Sequence, residues 1–175
     1  MEILIVLLLV LLLASLWDYK KGRIPNLILA IGAIHGLLRV FYYQNFLSHI
    51  PGILFPILIL YPLYKIGTIG AGDIKLFSVM GFYLSFMETI YCMFLAFVIG
   101  AVVSLIVQKN NGNLADRISY LLSYLKDAFL NGKFRYYYQD EAGNILSSEE
   151  RKKSQIHLAF PIFISVLLHL GGGIL

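Results

Sequence analysis

The chain reads as a series of apolar runs broken by short polar punctuation. Residues 1–17 are almost wholly aliphatic, interrupted by Glu2 and Ser15, and further apolar runs occupy 27–43, 50–64, 74–84, 87–107 and 156–170. A bilayer's hydrocarbon core takes about 20 apolar helical residues, or somewhat fewer where the flanks snorkel. The pattern therefore predicts an all-α integral membrane protein, a six-transmembrane-helix bundle forming one domain over 1–175. Within 74–107, Glu88 and the aromatic residues Phe82, Tyr83 and Phe86 predict a tight turn; one long tilted helix with a re-entrant piece is the competing reading, which Glu88 disfavours. The first run is read as a span and not a signal peptide. It opens on Glu2 in place of basic residues, has no small-x-small cleavage site, and its basic residues come after it.

Composition agrees with this reading. Apolar residues make up 59% and charged ones 14%, against about 25% charged in ordinary soluble proteins, and mean hydropathy is +0.77. The net charge of +4 marks cytoplasmic loops in such a chain, with no call for nucleic acid. All of the 14 basic residues except Arg39 fall after the first, third or fifth run. The positive-inside rule then puts those loops in the cytoplasm and both termini outside it. A lone Cys92 within an apolar run excludes a disulfide framework and a cysteine-based zinc site.

Residues 108–155 form the one long polar segment, expected to be cytoplasmic. Leu114, Ile118, Leu121, Leu122, Leu125 and Phe129 recur at helical spacing with Asp116, Arg117, Lys126 and Asp127 turned elsewhere, which predicts an amphipathic helix on the inner leaflet or packed on other helices. Ser147-Ser148-Glu149-Glu150 reads as a capping box leading into the last span.

The chemistry is carried by acids at span ends. Asp18 closes the first run in Trp17-Asp18-Tyr19-Lys20-Lys21-Gly22-Arg23-Ile24-Pro25-Asn26, and Asp73 opens the fourth in Gly70-Ala71-Gly72-Asp73-Ile74-Lys75-Leu76. The topology brings both to the cytoplasmic interface. Two carboxylates at one depth can hold a water between them, one acting as general base while the other, protonated, polarises a carbonyl. Taken singly, an interfacial Asp beside Lys is an ordinary solvated residue, and GxGD alone is a weak signal. Glycines before a helix start allow close approach of backbone or substrate, and Pro25 suits a first helical turn.

These two motifs together resemble those of the type IV prepilin peptidases, which include the preflagellin peptidases. Phe160-Pro161-Ile162-Phe163-Ile164 is similar to the proline-containing motif of that family's last span. The resemblance implies a polytopic aspartic endopeptidase, with no metal or cofactor, that removes the basic leader of prepilin-like proteins at the cytoplasmic face. It implies Asp18 and Asp73 as the catalytic pair, with Gly70, Gly72 and Lys75 framing the second Asp and Lys20, Pro25 and Asn26 supporting the pair or the substrate. Long members of the family carry paired CxxC motifs and also N-methylate their product. With one cysteine, this chain is expected to lack methyltransferase activity and to stand closer to the Tad-type and competence-associated peptidases. A presenilin-like protease would need a Pro-Ala-Leu motif that is not found. The reading from another class is a small transporter or channel using the two Asp for cations or protons.

Helix dipoles predict that Asp18, at a C-terminus, is the more readily protonated of the two, since Asp73 lies at an N-terminus. His35 and Arg39, one turn apart, are read as structural, Arg39 snorkelling to the outer surface. His157 is expected to anchor at the interface. Glu88 and His169 are placed at the outer side, and Ser15 and Ser104 are expected to bond a carbonyl one turn earlier.

Overall fold

A computed structural model describes residues 2–43, 46–110, 119, 122–123 and 158–172. Apart from residues 119 and 122–123, which are helical, the expected amphipathic helix of 114–129 lies outside the described residues, as do the capping box at Ser147 and His157. Those described form six main helices and no strand: α1 (Glu2–Lys21), α2 (Asn26–Tyr42), α3 (Phe46–Lys65), α4 (Ala71–Gly81), α5 (Phe86–Asn110) and α6 (Ala159–Gly172). Two stretches, Leu47–Lys65 and Phe86–Val107, are long and apolar enough to cross a membrane, while Asn26–Tyr42 and Ala159–Gly172 are shorter apolar helices.

Local chemistry sets the helix ends. Gly22, at φ 65°, ends α1 by donating its N–H to the Asp18 carbonyl at 2.7 Å, a left-handed C-cap that suits glycine best and asparagine next. Gly67, at φ 79°, ends α3 in the same conformation, with Gly67 N–H on the Tyr64 carbonyl and Thr68 N–H on the Leu63 carbonyl, both at 3.0 Å. This bond pair is the Schellman motif. Ser85 and Glu88 begin α5 with a capping box: the Ser85 N–H donates to Glu88 Oε2 at 2.7 Å and the Glu88 N–H to Ser85 Oγ at 3.4 Å. Glu88 is thus the third helical residue of α5 and not part of the turn, and the break expected between the fourth and fifth runs is present.

The core draws residues from all six helices around α4. Leu7, Val10, Leu11 and Ala14 present one stripe of α1, and Ala159, Ile162 and Val166 one stripe of α6; both pack with Leu76, Phe77 and Met80 of α4. The opposite side of α1 leaves Ile5, Leu9, Leu12, Leu13 and Leu16 exposed, a surface suited to lipid and ill-suited to water. Every α4 residue from Leu76 to Gly81 is buried, with α2, α3, α5 and α6 around the helix. With 11 residues, α4 is about 16 Å long at 1.5 Å per residue, roughly half of a ~30 Å hydrocarbon core.

A helix that ends among other helices leaves carbonyls that need donors. Arg39 Nη1 donates to the Phe82 and Tyr83 carbonyls at 3.2 and 2.9 Å, and His49 Nδ1 lies 3.1 and 3.2 Å from the Gly81 and Leu84 carbonyls. The Tyr83 hydroxyl donates to the Gly32 carbonyl at 2.8 Å. Having spent its one proton there, it accepts from His35 Nδ1 at 3.0 Å, which fixes the His35 tautomer with its proton on Nδ1. Arg39 therefore does not snorkel. It folds inward, and His35, Arg39 and His49 together fasten the α4–α5 turn. Ser15 bonds the Leu12 carbonyl at 2.8 Å, as its position predicts.

Candidate active site

Asp18 lies one turn from the end of α1, 7% exposed, with its backbone carbonyl held by Gly22. Asp73 is the third residue of α4, whose N-cap is Gly70. The helix starts two residues before Asp73, so this acid sits inside the first turn, ahead of the apolar stretch that begins at Ile74. Its carboxylate accepts the Gly70 backbone N–H, the same reach-back that a capping-box Glu makes. Of the motif's glycines, Gly70 follows from this geometry. A Cβ on Gly70 would lie 3.1 Å from Asp73 Oδ2, and one on Gly72 would meet Ile24 at 3.4 Å.

The two acids come from elements far apart in sequence, yet the Asp18 charge acts on Asp73. Asp73 keeps part of its surface open while most of its surroundings are protein. Burial first, and the Asp18 carboxylate second, push the Asp73 carboxyl up from its ordinary 3.8 to about 7; the Gly70 N–H pulls the other way. Helix dipoles by themselves favour the ionised form at Asp73. A dipole is worth about 0.3–1 kcal/mol at an exposed end, and burial of Asp73 outweighs it, so Asp73 holds a proton well above the usual carboxylate range.

The supporting residues divide. Lys75 Nζ donates to Asn26 Oδ1 at 3.0 Å, a bond between residues 49 apart, so two of the supporting residues meet. Pro25 stands at the N-cap of α2, at φ −63° and ψ 132°, just ahead of the first turn and not within it. Lys20 is exposed. Its neighbour Lys21 lies over the Trp17 ring, 4.7 Å from the centroid. Among the described residues no cluster of three His, Cys, Asp or Glu is arranged to hold a metal ion.

Sequence reasoning missed several contributors. Ile24 received no role beyond its motif, yet it covers Gly72. Gly22 was passed over although Lys20-Lys21-Gly22 is a helix stop signal. His49 was unassigned, and Ser85-x-x-Glu88 carries the capping-box spacing unused.

The sequence model of the type IV leader peptidase family matches residues 5–105. The chain belongs to the type IV leader peptidase family. The matched region holds both Asp motifs and helices α1 to α4 with most of α5, so the protein is a peptidase and, with its two long apolar helices, a membrane protein. No curated protein and no solved structure matches the chain.

Proposed function

We propose that the protein is an aspartic endopeptidase that cleaves the basic N-terminal leader from type IV prepilin-like precursors at the cytoplasmic membrane face, without N-methyltransferase activity. The observation that carries this is the pairing of Asp18 and Asp73, two acids at one end of the bundle whose charges are coupled. With one proton on the pair, the ionised carboxylate takes a proton from a water held between the two, while the protonated partner donates a hydrogen bond to the scissile carbonyl. Attack of the water gives a tetrahedral intermediate; its collapse breaks the C–N bond, the amine leaving with a proton supplied by the pair.

The reading takes the six apolar runs as spans, which leaves Asp18 and Asp73 at their ends, with Lys20, Lys21, Arg23, Lys65 and Lys75 at the inner face and both termini outside. A precursor whose apolar helix stays in the bilayer would present its leader junction at the level of Asp18 and Asp73, where water is at hand. The test is to incubate the purified protein, in lipid nanodiscs, with prepilin-like precursors and to map products by mass spectrometry. The expected result is one cut between the basic leader and the apolar helix. Cuts within the apolar helix, or none with any such precursor, would overturn it.

A further inference from the structure

Asp18 and Asp73 sit on helices that are held together largely through others: α1 packs mainly on α6 and α2, and α4 mainly on α3 and α2. The spacing of two carboxylates matters at the scale of tenths of an ångström, so something must register the end of α1 against the start of α4. The connection 22–25, with Asn26 at the start of α2, reaches from the end of the one helix to the start of the other. At one end the Gly22 N–H holds the Asp18 carbonyl at 2.7 Å, which fixes the direction in which the chain leaves the Asp18 turn. Next, Ile24 lies against Gly72, where an added Cβ would meet its Cβ, Cγ1 and Cδ1 at 3.4 to 3.5 Å. Finally, Asn26 Oδ1 accepts from Lys75 Nζ at 3.0 Å. Gly72 and Lys75 stand on either side of Asp73 in the sequence. The connection thus begins on the turn of one acid and grips α4 at two points that bracket the other.

We propose that residues 22–26 form a clamp that sets the separation of the two carboxylates, with Ile24 and Asn26 as positioning residues acting through Gly72 and Lys75. The proposal rests on the reading of Asp18 and Asp73 as the catalytic pair. An exposed hydrogen bond such as Asn26–Lys75 adds little to stability. Its loss should register in turnover, because catalysis is steep in geometry: a displacement of 1 Å costs roughly 100-fold.

The test is a double-mutant cycle in the full-length protein. Asn26→Ala and Lys75→Met are each expected to lower kcat by roughly 10- to 100-fold with KM within about twofold. The double variant should be no slower than the slower single, because both remove one bond. Lys75→Arg, which keeps a donor, should retain most of the rate. A second readout needs no turnover: infrared titration of the Asp73 carboxyl should move to lower pH in Asn26→Ala, as a looser pair weakens the Asp18 repulsion. Effects that multiply in the double variant, an unmoved titration, or a rate loss that tracks a falling unfolding temperature would each overturn the clamp. Full cleavage by Asp18→Asn and Asp73→Asn would instead refute the catalytic assignment, with the titration still reporting on the clamp itself.

Discussion

Gly81→Ala is the substitution whose cost the structure fixes most sharply. In an ordinary helix the change would gain about 0.5–1 kcal/mol, because glycine loses more backbone freedom on folding. Here a Cβ on Gly81 would lie 2.4 Å from the Gly52 carbonyl carbon and oxygen and 2.6 Å from Ile53 N. These are backbone atoms of α3, so no rotamer change relieves the contact. Restoring ordinary separation requires α3 and α4 to part by about 1 Å, and a gap of that size forfeits a quarter to a half of the dispersion well for each atom pair lost. The same shift stretches the His49 contacts to the Gly81 and Leu84 carbonyls, now 3.1 and 3.2 Å, past hydrogen-bonding distance. One bifurcated bond at about 1 kcal/mol and an overpacking cost of about 1–3 kcal/mol leave a net loss of roughly 2 kcal/mol after the helix gain. The assay is denaturant unfolding in detergent micelles, with Gly72→Ala as control, since a Cβ there meets Ile24 only at ordinary contact distance, 3.4 Å. Gly81→Ala within about 0.5 kcal/mol of the parent, the usual scatter for a neutral surface change, would refute the reasoning.

Arg39→Leu removes the donor from the Phe82 and Tyr83 carbonyls and should destabilise by about 3 kcal/mol, since each bond to a charged donor is worth about 1.5–3 kcal/mol; Arg39→Lys should recover part of this in the same unfolding assay. Gly22→Ala meets nothing within 4 Å but must hold φ near 65°, so it should cost about 1–2 kcal/mol, the strain of a left-handed residue, and Gly22→Asn less. Asp73 titrates at about 7 in the folded protein and near its ordinary 3.8 unfolded, so the folded state binds more protons between those values. Its stabilising contribution is therefore complete at pH below 3.8 and is lost as pH rises through 7. Unfolding midpoints should show that fall between pH 4 and 7, and Asp73→Asn should flatten it. The one-proton pair likewise predicts leader cleavage that declines above about pH 7.

The helical class and five of the six helix positions were legible because apolar runs longer than about 14 residues have few other uses. The fourth was offset. Its helix starts at Ala71 and not Ile74, because Gly70 and Asp73 cap it from within a stretch that reads as loop. The pairing of Asp18 with Asp73 came from topology and motif together, as neither alone distinguishes an active acid from an interfacial one. Arg39 was misread because snorkelling depends only on depth, whereas its actual partners, carbonyls of a turn two helices later, are set by tertiary packing. The same holds for His49 and for Ile24, whose contacts with Gly81 and Gly72 join residues with no local signal between them. The raised Asp73 carboxyl has no sequence signal either, because its first cause is burial, which helix ends and dipole directions do not reveal.

The central claim is that Asp18 and Asp73 together hydrolyse a leader junction. The most direct measurement is mass spectrometry of a prepilin-like precursor incubated side by side with the parent protein, Asp18→Asn and Asp73→Asn, each confirmed to fold by its unfolding transition. The account predicts one cleavage with the parent and none above background with either variant. Parent-level processing by either folded Asn variant would contradict it.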